Sequence, residues 1–315
     1  MSAVRCLGLD TSNYTTSAAV FDGTEGMNVG RLLDVPEGTL GLRQSDALFQ
    51  HVKRLPGLFA ALREAGILKE IRAVAASTRP RAVEGSYMPC FLAGEGQGRT
   101  LADTLGVPFY AVSHQQGHVA AAAWSAGRME LLERPFLAWH LSGGTTELLL
   151  VEPEGANVRA EKLGGTSDIS AGQLIDRTGV LLGLAFPAGR ALDALAAQSD
   201  SKERFAVKRA GLTFSLSGME NKVKAMAETG REKAEIARFV LNTVSDIVRR
   251  TTQAALEEYP DLPVLCSGGV ASNQRLRAVL KASCGAVFAE PRYSTDNAMG
   301  VAILARRLLD REEAI

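Results

Sequence analysis

The sequence predicts an α/β fold with two related lobes, and three observations support this. The chain has 315 residues, which is long for one hydrophobic core. A strand–turn–strand unit with a small, hydroxyl-rich turn occurs twice, at residues 4–21 and 136–151, which indicates a duplicated architecture. Apolar runs of strand length also alternate with segments of helical periodicity. We therefore predict two lobes with mixed sheets, at residues 1–133 and 134–315.

The elements of the first half follow from periodicity and turn residues. Asp10–Thr16 forms the polar turn of the first hairpin, and Ser17–Phe21 is its return strand. An apolar stripe at helical spacing predicts a helix over Ala47–Glu64. The apolar runs at 71–76 and 107–112 predict two further strands.

The second half repeats the hairpin and continues with alternating helices and strands. The predicted strands are at 136–141, 147–151 and 264–267, and the predicted helices are at 233–256 and 297–309. Residues 155–170 are polar and predict a hairpin or a loop. Thr295 and Asp296 precede the last helix, and both residue types are acceptable N-caps.

Composition and charge limit the classes of function. Hydrophobic residues make up 46% of the chain and charged residues 22%, as in ordinary globular proteins. Lys plus Arg and Asp plus Glu are equal at 35 each, so an RNA partner must be held locally or with help. No signal peptide is evident at Met1–Leu9 and no apolar run reaches membrane-spanning length. With four widely spaced cysteines and no CxxC, this predicts a cytoplasmic protein with reduced thiols and no membrane contact.

A pair of histidines carries the clearest chemical signal. His114 and His118 follow an apolar run at the start of a predicted helix. Residues four positions apart share one helical face, so both imidazoles can reach one divalent ion if a third group closes the site. A chance pair on a helix surface is the alternative. A zinc protease is disfavoured because Gln115 stands where that motif needs a general-base Glu.

Six ordered segments, together with the opening GLDTSNYTTSAAV, resemble the TsaD family. This family is the transferase subunit of tRNA threonylcarbamoyladenosine synthase, formerly called glycoprotease. The segments are HQQGH at 114–118, LSGGTT at 141–146, GQLIDRTGVLLGLAFPAG at 172–189, LTFSLSG at 212–218, SGGVASNQRLR at 267–277 and STDNAMGVA at 294–302. Each motif is weak alone, but the collinear set is strong and covers nearly the whole chain.

The resemblance implies an actin-like, sugar-kinase-like ATPase fold and a metal held by His114, His118 and Asp296. Two imidazoles and one carboxylate suit iron(II) or zinc, with magnesium as a further option. Such a set leaves coordination positions open for substrate. For Asp296, a plain helix N-cap is the alternative.

The resemblance also implies a site for an adenine nucleotide or threonylcarbamoyl-adenylate. The implied contacts to phosphate, ribose, base or the metal side are Asp10, Thr11, Ser12, Ser142, Gly143, Gly144, Asp176, Gly189, Gly268, Gly269 and Asn273. Ser215, Ser217 and Gly218 are further candidates at the nucleotide edge. Small residues in a turn let backbone N–H groups approach a phosphate. Ordinary hairpin turns, a helix-surface acid and a helix cap remain alternative explanations of these segments.

The implied reaction is metal-dependent transfer of a threonylcarbamoyl group from its adenylate to the exocyclic amine of the adenosine beside the tRNA anticodon. The implied partners are tRNA and the other proteins of a multi-protein synthase. Departures from the family pattern occur at Thr145, Gln116, Arg190 and residues 78–97. They leave two alternatives open: a divergent paralogue that carbamoylates another substrate, and a non-catalytic, nucleotide-binding partner subunit.

Overall fold

The structure is a computed structural model that describes residues 4–12, 14–35 and 42–314. Within the predicted first turn, Asn13 lies outside the described residues. The strands are β1 (Arg5–Asp10), β2 (Thr15–Phe21), β3 (Gly26–Leu32), β4 (Ile71–Arg79), β5 (Phe109–Ser113), β6 (Phe136–Leu141), β7 (Thr146–Glu154), β8 (Asn157–Thr166), β9 (Arg209–Ala210), β10 (Thr213–Phe214), β11 (Val264–Ser267) and β12 (Val287–Phe288). The helices are α1 (Gln44–Glu64), α2 (Leu92–Leu105), α3 (His114–Ser125), α4 (Ala171–Leu181), α5 (Gly189–Ala196), α6 (Gly218–Glu228), α7 (Lys233–Glu258), α8 (Gln274–Cys284) and α9 (Met299–Glu313).

The first sheet has five strands in the order β3-β2-β1-β4-β5. β1, β2 and β3 are joined antiparallel, whereas β4 pairs parallel with both β1 and β5. Central strands are apolar on both faces: the neighbouring residues Cys6 and Leu7 on β1, and Val74 and Ala75 on β4, are at most 1% exposed. A strand that is covered on both sides loses the polar alternation of an edge strand, which explains why these runs are continuously apolar.

The second sheet repeats this plan. Its order is β12-β11-β6-β7-β8-β10-β9, so β8-β7-β6-β11-β12 corresponds strand by strand to β3-β2-β1-β4-β5. The β6–β7 hairpin is antiparallel, and β11 pairs parallel with β6 and with β12, as in the first sheet. The predicted duplication and the mixed sheets are therefore confirmed.

The chain divides into two compact units, and the division differs from the predicted lobes. The first unit is Met1–Arg134, Glu152–Ala160 and Asp296–Ile315, and the second is Pro135–Val151 and Glu161–Thr295. The last helix belongs with the first sheet because α9 packs against β1, β2, β4 and α3. The sequence placed Asp296 in the C-terminal lobe, whereas this division by contacts groups it with the first unit.

One local prediction is confirmed and another changes. Residues 155–170, predicted as a hairpin or a loop, contain most of β8 and so form a hairpin with β7. The last helix begins at Met299 and not at residue 297, and neither Thr295 nor Asp296 is its N-cap. Instead, the Asn297 side-chain oxygen accepts a hydrogen bond from the Met299 N–H at 3.1 Å. This releases the Asp296 carboxylate from the capping role.

None of the four cysteines forms a disulfide bond, in agreement with the predicted reduced thiols. Cys6, Cys90 and Cys266 are fully buried, and Cys284 is half-buried. Burial raises the pKa of Cys6 to about 12, although Arg306 nearby opposes the shift. Within the described ranges, no helix has the length and apolar character needed to cross a membrane.

Candidate metal centre and nucleotide-binding turns

The candidate metal centre lies in the first unit, at the carboxyl ends of three parallel strands. Asp10 ends β1, Ser77 lies near the end of β4, and Ser113 ends β5 directly before α3. Parallel strands present their carboxyl ends at the same edge of a sheet, where ligands commonly bind. The fold therefore brings together polar residues that are far apart in sequence.

The first turn of α3 sets the direction of the two histidines. The Ser113 hydroxyl accepts a hydrogen bond from the Gln116 N–H, and the Gln116 side-chain oxygen accepts one from the Ser113 N–H at 2.8 Å. This capping box satisfies free N–H groups at the start of the helix and fixes its first residue. His114 is that residue, and His118 follows one turn later on the same face.

His114, His118 and Asp296 form one cluster. One ligand atom from each lies within 4.8 Å of the other two. The Asp296 Oδ1 atom is 3.6 Å from His114 Nε2 and 3.5 Å from His118 Nε2. Ligand atoms about 2.1 Å from a tetrahedrally coordinated ion are about 3.4 Å apart. The donor types and their separations thus fit one divalent ion, and no other cluster of three such groups occurs among the described residues.

Asp10 stands behind His114 and fixes the orientation of its ring. The Asp10 Oδ2 atom is 2.9 Å from His114 Nδ1, which leaves Nε2 facing Asp296. The Ser77 hydroxyl donates to Asp10 Oδ1 at 2.5 Å, and Ser12 donates its N–H and its hydroxyl to the same carboxylate at 3.1 Å. A carboxylate behind a ligating histidine selects the tautomer and strengthens the ligand.

The pKa values of this pair reflect their contact. Burial raises the pKa of Asp10, but the adjacent imidazole of His114 outweighs burial and lowers that pKa to about 2. Burial lowers the pKa of His114, but the Asp10 carboxylate outweighs it and raises that pKa to about 9. For Asp296, burial raises the pKa, while the hydrogen bond to His118 and the charge of His114 bring it below the usual value. Both carboxylates are therefore ionised at neutral pH.

The close crossing of helices α3 and α9 places Asp296 beside the two histidines. Asp296 lies three residues before α9, and α9 packs directly on α3. A Cβ atom added at Gly300 on α9 would lie 1.7 Å from the Gly117 carbonyl oxygen on α3. Only a hydrogen at this position permits that approach. Gly117 stands between the two histidines, so the crossing point and the metal cluster are one local arrangement.

In the second unit, the candidate phosphate turn is built by Ser142, Gly143, Gly144 and Thr145. Ser142 closes the turn twice: its N–H donates to the Thr145 carbonyl at 2.8 Å, and its hydroxyl accepts from the Thr145 N–H at 3.0 Å. Gly143 and Gly144 are exposed, and a Cβ at either would meet nothing within 4 Å. The Ser170 hydroxyl, the N-cap of α4, donates to the Gly143 carbonyl at 2.6 Å. The turn is rigid, and open space lies above its two glycines.

The other predicted nucleotide contacts lie on neighbouring turns of the second unit. Asp176 accepts a hydrogen bond from the Ala188 N–H at 2.8 Å, which joins α4 to the turn that ends at Gly189. Gly268 has a φ of +95°, and a Cβ there would lie 2.1 Å from the Leu141 carbonyl oxygen. Glycine is therefore required at position 268, while a Cβ at Gly269 would meet nothing within 4 Å.

Asn273 has a structural partner for each end of its amide. Its side-chain oxygen accepts from the Leu276 N–H at 2.9 Å as the N-cap of α8, and its Nδ2 donates to Asp193 at 2.8 Å. The geometry gives Asn273 the helix-cap role that the sequence left open. Its predicted contact with ribose or base stays a prediction.

The family model of TsaD, tRNA N6-adenosine threonylcarbamoyltransferase, matches residues 41–303. Proteins of that name from Brucella suis (strain ATCC 23445 / NCTC 10510) and Brucella melitensis biotype 2 are 35% identical to this chain. Each alignment covers 95% of this chain and 88% of the relative. The chain belongs to the TsaD family. The predicted resemblance is confirmed, and the family is one of acyltransferases.

Solved structures of more distant proteins agree on the fold. Full-length HypF in its phosphate- and nucleotide-bound form matches 98% of this chain with a TM-score of 0.64 and 14% identity, and this chain spans 56% of HypF. The ROK hexokinase from Thermus thermophilus matches with a TM-score of 0.52 and 16% identity over 98% of this chain and 99% of its own. At such identities these likenesses show the fold alone, and they confirm the actin-like, sugar-kinase-like prediction.

Sequence reasoning missed two residues that support the candidate sites of this TsaD-family chain. Ser77 binds Asp10, and the parallel pairing of β1 with β4 was the signal that could have identified it. Asp168 accepts hydrogen bonds from the Ser215 hydroxyl and from the N–H groups of Leu216 and Ser217. The candidate serines at 215 and 217 are thus held by a carboxylate 47 and 49 residues earlier in the chain.

The remaining two histidines, His51 and His140, have other places in the fold. His51 lies on α1 and is buried, where its Nδ1 is 2.8 Å from the Thr16 hydroxyl. His140 lies on β6. Neither belongs to the metal cluster.

Proposed function

We propose that this chain transfers a threonylcarbamoyl group from threonylcarbamoyl-adenylate to the exocyclic amine of the adenosine beside the anticodon of certain tRNAs. The observation that carries the proposal is the His114–His118–Asp296 cluster, backed by Asp10, in a chain of the TsaD family. A scaffold protein needs no open metal site, so these groups favour chemistry over a purely structural role. The proposed place of action is the cytoplasm, in a complex with other proteins of the pathway.

In the proposed reaction, the amine nitrogen forms a bond to the carbamoyl carbon, and the bond from that carbon to the phosphate oxygen breaks. AMP leaves with the electron pair of the broken bond, and the amine releases one proton to water. An iron(II) or zinc ion held by His114, His118 and Asp296 would polarise the acyl phosphate and stabilise the leaving AMP. No protein nucleophile is required.

The residues of this chain would orient the reactants. Asp10 holds the His114 ring so that Nε2 faces Asp296, where it would be available to the ion. The backbone N–H groups of Gly143 and Gly144 would donate to the adenylate phosphate, because their turn is rigid and uncovered. The Asp176 carboxylate uses one oxygen for Ala188 and keeps the other to accept a ribose hydroxyl.

The test is restoration of modified tRNA in an extract of bacteria depleted of their own transferase. Purified chain is added with threonine, bicarbonate and ATP, and tRNA nucleosides are analysed by mass spectrometry. We expect threonylcarbamoyladenosine with the unaltered chain and its loss with His114→Ala or Asp296→Ala. Asp310→Ala is the matched control, since Asp310 lies on α9 and pairs on the surface with Arg306.

Different failures have different meanings. Full activity of metal-free His114→Ala would exclude the metal assignment. If the unaltered chain binds metal and adenylate but restores no modified tRNA, a paralogue with another acceptor is favoured. Nucleotide binding that is independent of metal, with no turnover, would favour a non-catalytic subunit.

A further inference from the structure

A basic cavity lies on the surface of the second unit, and none of its lining residues is among those assigned to metal or nucleotide. It has a volume of about 260 Å³ and is formed by helices α7 and α8 and the segment 202–204. The lining residues that carry charge are Lys202, Arg204, Asp246, Arg249 and Arg275. Four cations and one carboxylate give the cavity a strong positive excess in a chain whose net charge is zero.

The cations are held in place by neighbouring groups. Arg249 donates to Asp246 at 2.9 Å and to Gln253 at 2.7 Å, and Arg275 donates through Nε to the Asn242 side-chain oxygen at 3.1 Å. Asn242 in turn donates to backbone carbonyls of the segment before Arg204, at 2.9 and 3.0 Å. A guanidinium fixed through one nitrogen keeps its other N–H groups for a ligand.

A buried hydroxyl gives an independent sign of a ligand. Ser245 lines the cavity and is 2% exposed, and its Oγ has no hydrogen-bond partner among the described residues. Buried polar groups nearly always have a hydrogen-bond partner, so a buried hydroxyl without one suggests that a bound ligand supplies the partner. A hydroxyl among arginines can donate to the same oxygen atoms that the guanidinium groups bind.

We propose that this α7–α8 cavity binds a phosphate group. Arginine forks match the spacing of phosphate oxygens and bind them through paired N–H groups. Asp246 does not oppose this strongly, because its carboxylate is already shared by Arg204, Arg249 and Arg250. The proposal does not depend on the proposed acyl transfer. The same chemistry fits a backbone phosphate of RNA and a free phosphate compound.

The first test is calorimetric titration of the full chain with inorganic phosphate at constant ionic strength. The variants are Arg275→Gln and the double variant Lys202→Gln/Arg204→Gln. We expect each to bind phosphate about tenfold more weakly, which corresponds to about 1.4 kcal/mol. The double variant removes the ion pair of Arg204 with Asp246 at 3.4 Å, so its stability is compared with that of the parent by urea unfolding. Arg292→Gln, on an exposed residue of the same unit paired with Glu290, is the control that should bind as the parent does.

The second arm identifies the source of the phosphate. Affinity for tRNA is measured against salt concentration for the parent and the double variant. If the slope of log affinity against log salt is smaller in magnitude by about one in the double variant than in the parent, the cavity binds a backbone phosphate. An unchanged slope with lost phosphate binding supports a free phosphate compound. Phosphate binding that is equal in the parent and in both variants, all shown to be folded by urea unfolding, overturns the proposal.

Discussion

Replacing Gly300 with alanine should separate helices α3 and α9 and move Asp296 away from the two histidines. The added Cβ would lie 1.7 Å from the Gly117 carbonyl oxygen, and real Cβ contacts essentially never fall below 3.0 Å. The two helices must therefore move apart by about 1.3 Å, since backbone atoms on both sides leave nothing flexible to give way. Such overpacking typically costs about 1–3 kcal/mol in the free energy of unfolding.

The same displacement should affect the metal centre more than the fold. Ligand distances in a working metal site are held to within about 0.2 Å, so a shift of about 1.3 Å at the base of α9 removes Asp296 as a ligand. We expect zinc or iron(II) affinity of Gly300→Ala to fall at least tenfold. Equilibrium dialysis against a metal buffer measures this directly, and urea unfolding measures stability on the same preparations.

Alanine substitutions at three glycines distinguish the effect of the α3–α9 crossing from the general effect of replacing a helical glycine with alanine. At Gly117 the nearest atom to the added Cβ would be Val301 Cγ2 at 3.2 Å, a much milder overlap than the 1.7 Å at Gly300, so we expect a smaller loss. At Gly96 on α2 it would meet nothing within 4 Å, and alanine there should stabilise the helix by roughly 0.5–1 kcal/mol. Metal affinity of folded Gly300→Ala equal to that of Gly96→Ala would refute the reasoning.

Three further outcomes are expected. Asp10→Asn should weaken metal binding about 10–100-fold, because the His114 ring loses its anionic partner; metal dialysis with Asp22→Asn as control measures this, and wild-type affinity would contradict it. Gln116→Glu should lower the free energy of unfolding by about 1–3 kcal/mol, since a carboxylate cannot donate to the Val158 carbonyl; urea unfolding measures this against Gln115→Glu, and equal midpoints would count against the contact. Gly143→Ala should leave the urea midpoint unchanged, because its Cβ enters only open space. The same Cβ should weaken adenylate binding, because it would occupy the space proposed for the phosphate; unaltered binding would argue against the phosphate role of the turn.

Much of the fold could be predicted because its signals are local. The two hairpins, the long helix α7 and the strand β11 follow from periodicity and turn residues, and their bounds differ from prediction by only a few residues. The division into units could not be predicted in the same way. It depends on α9 packing against β1, β2, β4 and α3, and such a contact between distant segments leaves no periodic signal.

The candidate metal centre was predicted in its ligand types but not in its support. The spacing of His114 and His118 is a helical pattern that sequence alone reveals, and the resemblance supplied Asp296. The role of Asp10 as partner of His114 arises from the parallel pairing of β1, β4 and β5. Long-range strand pairing is the information that a single sequence carries least clearly.

The departures from the family pattern differ in their bearing on chemistry. Gln116 closes the capping box of α3, and its Nε2 donates to the Val158 carbonyl at 2.8 Å in the β7–β8 hairpin. A glutamate could complete the capping box but could not make the second bond. The glutamine is therefore explained by packing of the first unit, and it leaves both histidines in position.

Thr145 is different, because its side chain makes no hydrogen bond to any other residue that the structure describes. Its N–H and carbonyl close the Ser142 turn, and these backbone contacts would be the same for a histidine. The half-exposed side chain stands at the edge of the open glycines. An imidazole there could carry a positive charge towards an adenylate phosphate, whereas the threonine hydroxyl is shorter and always neutral. Of the departures considered, the one at Thr145 bears most directly on which adenylate or acceptor the turn admits.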